Sequence, residues 1–577
     1  MQPGQKCAMY LLLSGVAAIA WPAGAPAPTF SREVAPILFK HCVSCHRPGE
    51  IASNISFLNY TQARPWAKSI KERVLRREMP PWPADPSGSV KFRNDPRLSQ
   101  KDIDTLAAWA NSGAAQGQAD DLPPLPVFPQ GWQHPKGLPP DVVISMPGEF
   151  EVPAQGQIPY VRYLVGVPFS EDKWTAAIQV RPGNRAVVHH MAITEVQLQE
   201  GMKPADLDAM ATLARQMGLT NSLPGSRPAV TAPGDPASVD MLGVYTPGTT
   251  LEMYADDSAK LIKGGKNFYI NFNIHYQPIG RVEKDRSMLA LWFQAGTPKR
   301  QLLRVPGAAK TIIVNGIELL SDAPGKKAEG TGAAIPPIPP QAENYEVTGI
   351  TAYAEPITIS QFQPHAHVHC KDFRYVVVYP DGREQSVLSV PKYNFQWQLA
   401  YEPAAPLHLP AGSKLVATAH YDNSPNNKNN PAPSREVYFR DGENQSSDEM
   451  FTPFIQYSND NQDLHQTDTL RRQQTQRAKN VSDIVEVDGC LQQSADAWRL
   501  TTATDPIASE SQPTSSMALK LAEVRRLGTD EYRLVGINFF NPSRHKGQKV
   551  AVKGVLIQTT RAINVTSLQV VGAICAH

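Results

Sequence analysis

The sequence predicts a multidomain, mainly β protein, with a small helical domain near the N-terminus, a long β-rich body and a small β-barrel at the C-terminus. Three observations carry this. The 577 residues suffice for roughly three or four domains of about 150 residues. Proline, at 52 residues, runs well above its usual share of about 5%, which favours β-rich domains with long loops over a helical bundle. Up to about Tyr457, short alternating apolar stretches follow one another with turn signals between them, as where Pro380-Asp381-Gly382 turns one strand of "FRYVVVYPDGREQSVLSV" into the next. Helical periodicity there is scarce outside "PADLDAMATLARQMG", Pro204 to Gly218. With Lys+Arg 56 against Asp+Glu 54, no charge excess points to nucleic acid or an anionic membrane.

Residues 1–25 read as a signal peptide. Lys6 precedes the apolar run Cys7 to Ala20, and small residues follow at Ala23-Gly24-Ala25. The run is short for a transmembrane helix, though an uncleaved anchor is the alternative, and no later stretch is apolar enough to span a bilayer. Export implies a periplasmic or secreted protein in an oxidising compartment. Cys42, Cys45, Cys370, Cys490 and Cys575 then remain.

Two of these lie in "HCVSCHRPG". In Cys42-Val-Ser-Cys45-His46 the thiols can form thioether bonds to haem vinyl groups and His46 can ligate the iron. A bare Cys-x-x-Cys would more often mean zinc or a redox pair; the following His, the export signal and the absence of a second Cys-x-x-Cys favour one covalently bound haem c. Residues 26–118 accordingly read as a cytochrome c domain. One helix runs from Ser31 into the motif. A last one starts at Ser99, where Ser99 and Asp102 resemble a capping box, and it presents Ile103, Leu106, Ala107 and Ala110 on one face until Gly113 stops it. Met79, in "RREMPPWP", is either core or the second axial ligand of the iron.

Residues 119–141 are too proline-rich for helix or central strand and read as a linker. In the β region beyond it the histidines gather in three places: His189 and His190 in "RAVVHHMAI", His275 in "NFNIHYQP", and His365, His367 and His369 in "QPHAHVHC". Residues two apart on a strand share a face, so His365 and His367 could close on one ion. Adjacent residues point to opposite faces, so one ion can take both His189 and His190 only at a twisted strand end or a bulge. Each group alone also has a plain reading as core or surface. Together, five imidazoles on short apolar strands would be costly to bury without partners.

The motifs "VVHHM", "NIHYQP", "PHAHVHCKDFRYVVVYPDG" and "AHYDNS…SSDEM" resemble, in their order, those of the copper type II, ascorbate-dependent monooxygenases, the family of peptidylglycine and dopamine β-monooxygenases. The chain is more closely similar to bacterial relatives in which a cytochrome c precedes that core. The resemblance covers roughly residues 30–460 and implies two jelly-roll-like β-sandwich domains, 142–305 and 306–460, each holding one copper ion. His189, His190 and His275 match the copper that relays an electron. His365, His367 and Met450 match the copper that meets O2 and carries catalysis; a thioether there also suits Cu(I). His369 falls where the motif usually changes and is left out of the metal set; His420, in "ATAHYDNS", takes a structural or supporting place, with a ligand role the alternative.

The implied function is an exported monooxygenase that hydroxylates a C–H bond of an unknown organic substrate with O2. Its electrons come through the fused c-type haem, which an external donor could feed. Where peptidylglycine enzymes hold the peptide carboxylate with Arg, Asn and Tyr, this chain has Gln363, Thr452 and Phe454, which argues against an amidated peptide product. Two other classes compete with this: a non-catalytic periplasmic copper-binding electron-transfer protein, and a sugar- or matrix-binding sandwich with zinc or no metal. A blue-copper role for Cys370 lacks the downstream His and Met.

Residues 461–483 form a polar connector. In 484–577, "VEVDGCL" and "VAVKGVL" share a Val-x-Val-x-Gly-x-Leu pattern with a Gly where a barrel strand could bend, which suggests a small OB-like barrel. Cys490 and Cys575 bracket this module and pair economically as a disulfide, leaving Cys370 free; another pairing is the alternative.

Overall fold

The computed structural model describes residues 26–204, 226–228, 241–439, 448–466 and 481–575, apart from 130, 157, 250, 256, 326, 329, 495–496 and 573–574. The expected signal peptide, most of the helix at 204–218 and much of the polar connector lie outside the described residues. The protein is mainly β, with several sheets, and divides into two compact units. Among the described residues no helix is long and apolar enough to cross a membrane.

The smaller unit contains residues 26–48, 54–81 and 96–127 of the described chain. A helical turn at Phe30–Val34 leads into the helix Ala35–His41, which ends on the Cys-x-x-Cys-His motif. Pro36 falls in its first turn, where the missing N–H costs nothing. Two further helices, Ala67–Leu75 and Gln100–Asn111, complete the frame. Ser99 caps the second of these, accepting from Asp102 N at 3.2 Å, and Gly113 ends it with φ +94. Its buried apolar face is not the expected one. Ile103, Leu106 and Trp109 are buried, whereas Ala107 and Ala110 are only half-buried. The reason is bulk: the Trp109 ring lies 6.2 Å from Phe30, and its Nε1 donates to Ala115 O at 2.9 Å, so the large ring at the 3-and-6 spacing sets the face.

The larger unit contains residues 49–53, 82–95 and everything described from 128 on. Residues 82–95 form a strap sewn to the β body. Asp85 N donates to Ser389 O, Arg93 N to Glu402 O and Ala404 N to Lys91 O, while the buried Trp82 ring lies 4.8 Å from Tyr401.

A five-stranded sheet places Phe268–Tyr276 between Val161–Gly166 and Val188–Leu198, with Ser226–Pro228 and Met241–Tyr245 also paired to Val188–Leu198. A nine-stranded sheet runs continuously from Val142–Ser145 to Leu407–Leu409. Its pivot is Arg300–Pro306, parallel to Ser258–Ile262 on one side and antiparallel to Thr452–Asn459 on the other. A six-stranded sheet, with Tyr345–Tyr353, Ser413–Tyr421 and Cys370–Val378 at its centre, completes the second half of this body. Period-2 alternation along these strands supplies two apolar cores. One gathers Ile178, Met191, Phe272 and Leu289; the other gathers Phe362, Phe373, Tyr375 and Leu415. The expected turn at Pro380-Asp381-Gly382 is present, with Gly382 at φ +91 and its N–H donating to Tyr379 O.

At the C-terminal end, Ala497–Ala503, Asp530–Val535, Ala562–Gly572, Lys549–Ile557 and Val481–Ser494 pair in a ring, the last returning to the first. Cys490 and Cys575 form a disulfide, as expected, with Cα atoms 5.9 Å apart; Cys370 is a free, buried thiol.

Candidate metal centres

The first set is built on two neighbouring strands of the five-stranded sheet. His275 pairs directly with His190, while the next partners are Tyr276 and Val188, so His189 is the extra residue of a β-bulge. That bulge resolves the geometric difficulty of two adjacent histidines, turning both rings to the same side. His189 Nδ1 lies 3.1 Å from His275 Nδ1 and 3.2 Å from His190 Nδ1. The three residues offer ligand atoms that all lie within 4.8 Å of one another.

A hydrogen bond fixes which nitrogen of His189 is free. His189 Nε2 contacts the carbonyl of Gln396 at 3.1 Å, and a carbonyl only accepts, so His189 carries its proton on Nε2 and a lone pair on Nδ1. His190 Nε2 lies 2.9 Å from the Tyr160 hydroxyl. Burial, then the neighbouring imidazoles, hold His190 well below the ordinary histidine range and bring His275 down to about 3. Added protons therefore do not fill the space between the rings. Imidazole nitrogens bound at about 2.0–2.1 Å around a tetrahedral ion stand about 3.3–3.4 Å apart, close to the spacing found here. The donor set fits a first-row transition metal such as copper or zinc.

The second set comes from three different segments. His365 closes the strand Ile357–His365, but His367 lies in the turn that follows, so the two do not share a strand face as expected. Their rings still stand 5.6 Å apart at 90°, because the turn is pinned from outside. Glu449, fully buried, accepts from the backbone N–H groups of His367, His369 and Met450 and lies 3.3 Å from His369 Nδ1. Burial would raise its pKa, but the His369 hydrogen bond and the nearby imidazoles prevail and hold it below the ordinary carboxylate value. One carboxylate thus gathers the backbones of His367 and Met450, and Tyr421 donates its hydroxyl to Met450 O at 2.9 Å.

The tautomers here are also readable. His367 Nδ1 donates to Asp448 O at 2.8 Å, which leaves a lone pair on Nε2, a buried atom without a protein partner. His365 Nδ1 donates to Gln398 Oε1 at 2.6 Å, and the amide orientation is set because Gln398 Nε2 donates to Phe395 O. The first set thus turns its Nδ1 atoms toward one another, with the His189 Nδ1 lone pair fixed, and the second leaves Nε2 free. Burial, then the nearby His367 imidazole, brings His365 down to about 4, so the His365 ring stays neutral and able to ligate near neutral pH.

His369 does not join either set. Its Nδ1 faces Glu449 and its Nε2 is buried without a partner. His420 is also apart, held between Asp372 at 2.7 Å and Glu346 at 3.3 Å. In the smaller unit, His46 Nδ1 donates to Ile55 O at 3.2 Å, leaving Nε2 for a ligand, and its ring stacks on Phe57 at 4.6 Å. Cys42 follows the end of the helix Ala35–His41, Cys45 adjoins His46, and Met79 is half-buried ahead of Pro80-Pro81.

Several supporting residues escape a reading of the sequence. Phe395, Gln396 and Gln398 sit in "YNFQWQLA", which has no metal-site spacing, and Tyr160 lies in an unremarkable strand approach. Glu449 stands beside Met450 in "SSDEM", where its adjacency to a candidate thioether ligand was the available signal. Compared with known proteins, the chain matches no family model and no curated sequence.

Proposed function

We propose that this chain is an exported copper-dependent monooxygenase of the copper type II, ascorbate-dependent class, acting on a C–H bond of an organic substrate. In this reading residues 26–118 are a cytochrome c domain, 142–305 and 306–460 are the two copper-binding sandwiches, and the C-terminal module is an OB-like barrel. The observation that carries the reading is the presence of two histidine sets: three converging Nδ1 atoms at His189, His190 and His275, and free Nε2 atoms at His365 and His367, whose turn shares the Glu449 carboxylate with the Met450 backbone. Bound copper would supply one-electron chemistry toward O2, and a haem on Cys42, Cys45 and His46, with Met79 as second axial ligand, would supply electrons.

The protein's own residues do the rest. Gln396 and Tyr160 hold the first set's rings with Nδ1 inward. Asp448 and Gln398 hold the second set's rings with Nδ1 donating and Nε2 free, and Glu449 ties the Met450 backbone to the turn that carries His367. Beside this set, antiparallel pairing puts Gln363 opposite Phe454 and His365 opposite Thr452. None of these neighbours is a cation, so a substrate carboxylate has no partner among them, and the reading points to a substrate recognised through neutral groups.

One observation favours a second reading, a non-catalytic copper and electron carrier. The Phe395 ring packs on His189, His190, His275 and His367 at 5.8–6.1 Å, a closed arrangement that suits electron exchange without substrate. Metal analysis of periplasmically produced protein tests the first requirement of both: one haem iron and two coppers per chain are expected, and iron alone would leave only the cytochrome. Reduced, copper-loaded protein mixed with O2 then separates them. Haem reoxidation that is faster than in His189→Ala, with a hydroxylated product from some C–H substrate, supports the monooxygenase; reoxidation no faster than in the variant rules out the relay.

A further inference from the structure

The two donor sets are served by one short segment. Tyr393, on the loop after the strand Glu384–Val390, donates its hydroxyl to Ala366 O and accepts from Ala366 N, fastening the loop to the residue between His365 and His367. Two residues on, the buried Phe395 ring lies 5.9 Å from His189, 6.1 Å from both His190 and His275, and 5.8 Å from His367. Gln396 O then takes the Nε2 proton of His189, and Gln398 Oε1 takes the Nδ1 proton of His365. Within six residues the segment therefore fixes one tautomer in each set and packs on rings of both. An Asx turn stiffens it: Asn394 Oδ1 accepts from Gln396 N at 2.9 Å and Asn394 O from Trp397 N at 2.8 Å.

We propose that Tyr393–Gln398 couples the two sets, so that metal held by one orders the other. This rests on the metal-binding reading above. A ligand bound where the segment must be in place selects the conformations in which it is in place, and those same conformations present the other set's histidine correctly. The coupling is reciprocal by thermodynamic necessity. Phe395 and Gln398 are positioning residues in this scheme, since neither offers a metal ligand.

Hydrogen exchange read by mass spectrometry tests it, with copper(I) alone as the anaerobic probe on the full-length chain. In His365→Ala/His367→Ala only the three-histidine set can fill; in His275→Ala only the other set is complete. Copper added to either variant should slow exchange across residues 391–400 and in the peptide bearing the unfilled set's remaining ligands. Introducing Phe395→Ala should abolish that second effect while leaving protection at the filled set. Gln398→Ala serves the same purpose should Phe395→Ala prove unstable. Copper uptake with protection confined to the filled set in both variants would overturn the coupling and leave the metal sites standing. No copper uptake by the unaltered chain would overturn the metal-binding reading itself.

Discussion

The three-histidine set leaves two adjacent strands of one sheet, whereas the set of His365, His367 and Met450 draws on a strand end, a turn and a separate loop. In the first, strand pairing and one bulge bring the Nδ1 atoms of His190 and His275 to 3.1–3.2 Å from that of His189. In the second, a single buried carboxylate, Glu449, takes the place of that sheet. The contrast teaches that a metal site can inherit its geometry from backbone pairing or have it imposed by one anion. The two should then fail differently.

The largest effect is expected at the first set. His275→Ala removes one of three ligands that the sheet already holds in place. Copper bound per chain should fall from two to one, with more than about 100-fold loss of affinity at that set, beyond the 10- to 100-fold typical of supporting residues. Titration followed by electron paramagnetic resonance reads this directly; two coppers retained would show that the three nitrogens do not form the site.

Next comes Glu449→Ala. It leaves the His367, His369 and Met450 N–H groups and the His369 ring without their buried anion, so we expect about 3–5 kcal/mol of lost stability and about 10- to 100-fold weaker copper binding at the second set, with a smaller loss at the first through the Tyr393–Gln398 segment. Chemical denaturation and site-resolved metal titration separate the two. Equal weakening at both sets would erase the distinction drawn above.

These two residues also mark how far the sequence could be read. The Cys-x-x-Cys-His motif, the three histidine clusters and the turn at Gly382 are local, and each depends on residue type and short spacing; the Cys490–Cys575 pair, 85 residues apart, was readable only because few cysteines remained to pair. The bulge at His189 was demanded by the adjacency of two histidines, although nothing in "VVHHM" says which residue is skipped. Glu449 and Gln398 work through the tertiary placement of loops 33 to 82 residues from the histidines they orient, a distance at which no periodicity survives. Trp109 outweighed Ala107 and Ala110 because burial follows bulk as well as phase.

A smaller effect should follow Tyr160→Phe, which removes only the hydroxyl at His190 Nε2. About tenfold weaker copper at the first set is expected, with a smaller change at the second, and the same titration checks it. If affinity does not move, the sheet alone orients His190.

The smallest effect concerns the strands behind the second set. His420, bonded first to Asp372 and then to Glu346, has its pKa raised to about 9 from 6.5. Because the folded value is the higher one, this imidazolium stabilises the fold fully below about 6.5, and the contribution fades as pH rises through 9. With its partial exposure we expect about 1–2 kcal/mol, lost between pH 6.5 and 9.5. Denaturation midpoints of the unaltered chain and of His420→Gln should converge over that range; parallel curves would refute the assignment.

The strand Arg300–Pro306 belongs to both halves of the β body, bonded on one edge to Ser258–Ile262 and on the other to Thr452–Asn459. Neither half can be excised with its sheet whole: whichever fragment keeps this strand exposes a raw edge, and the other loses its border. The two centres are therefore a single heritable package, to be expressed, crystallised and engineered together.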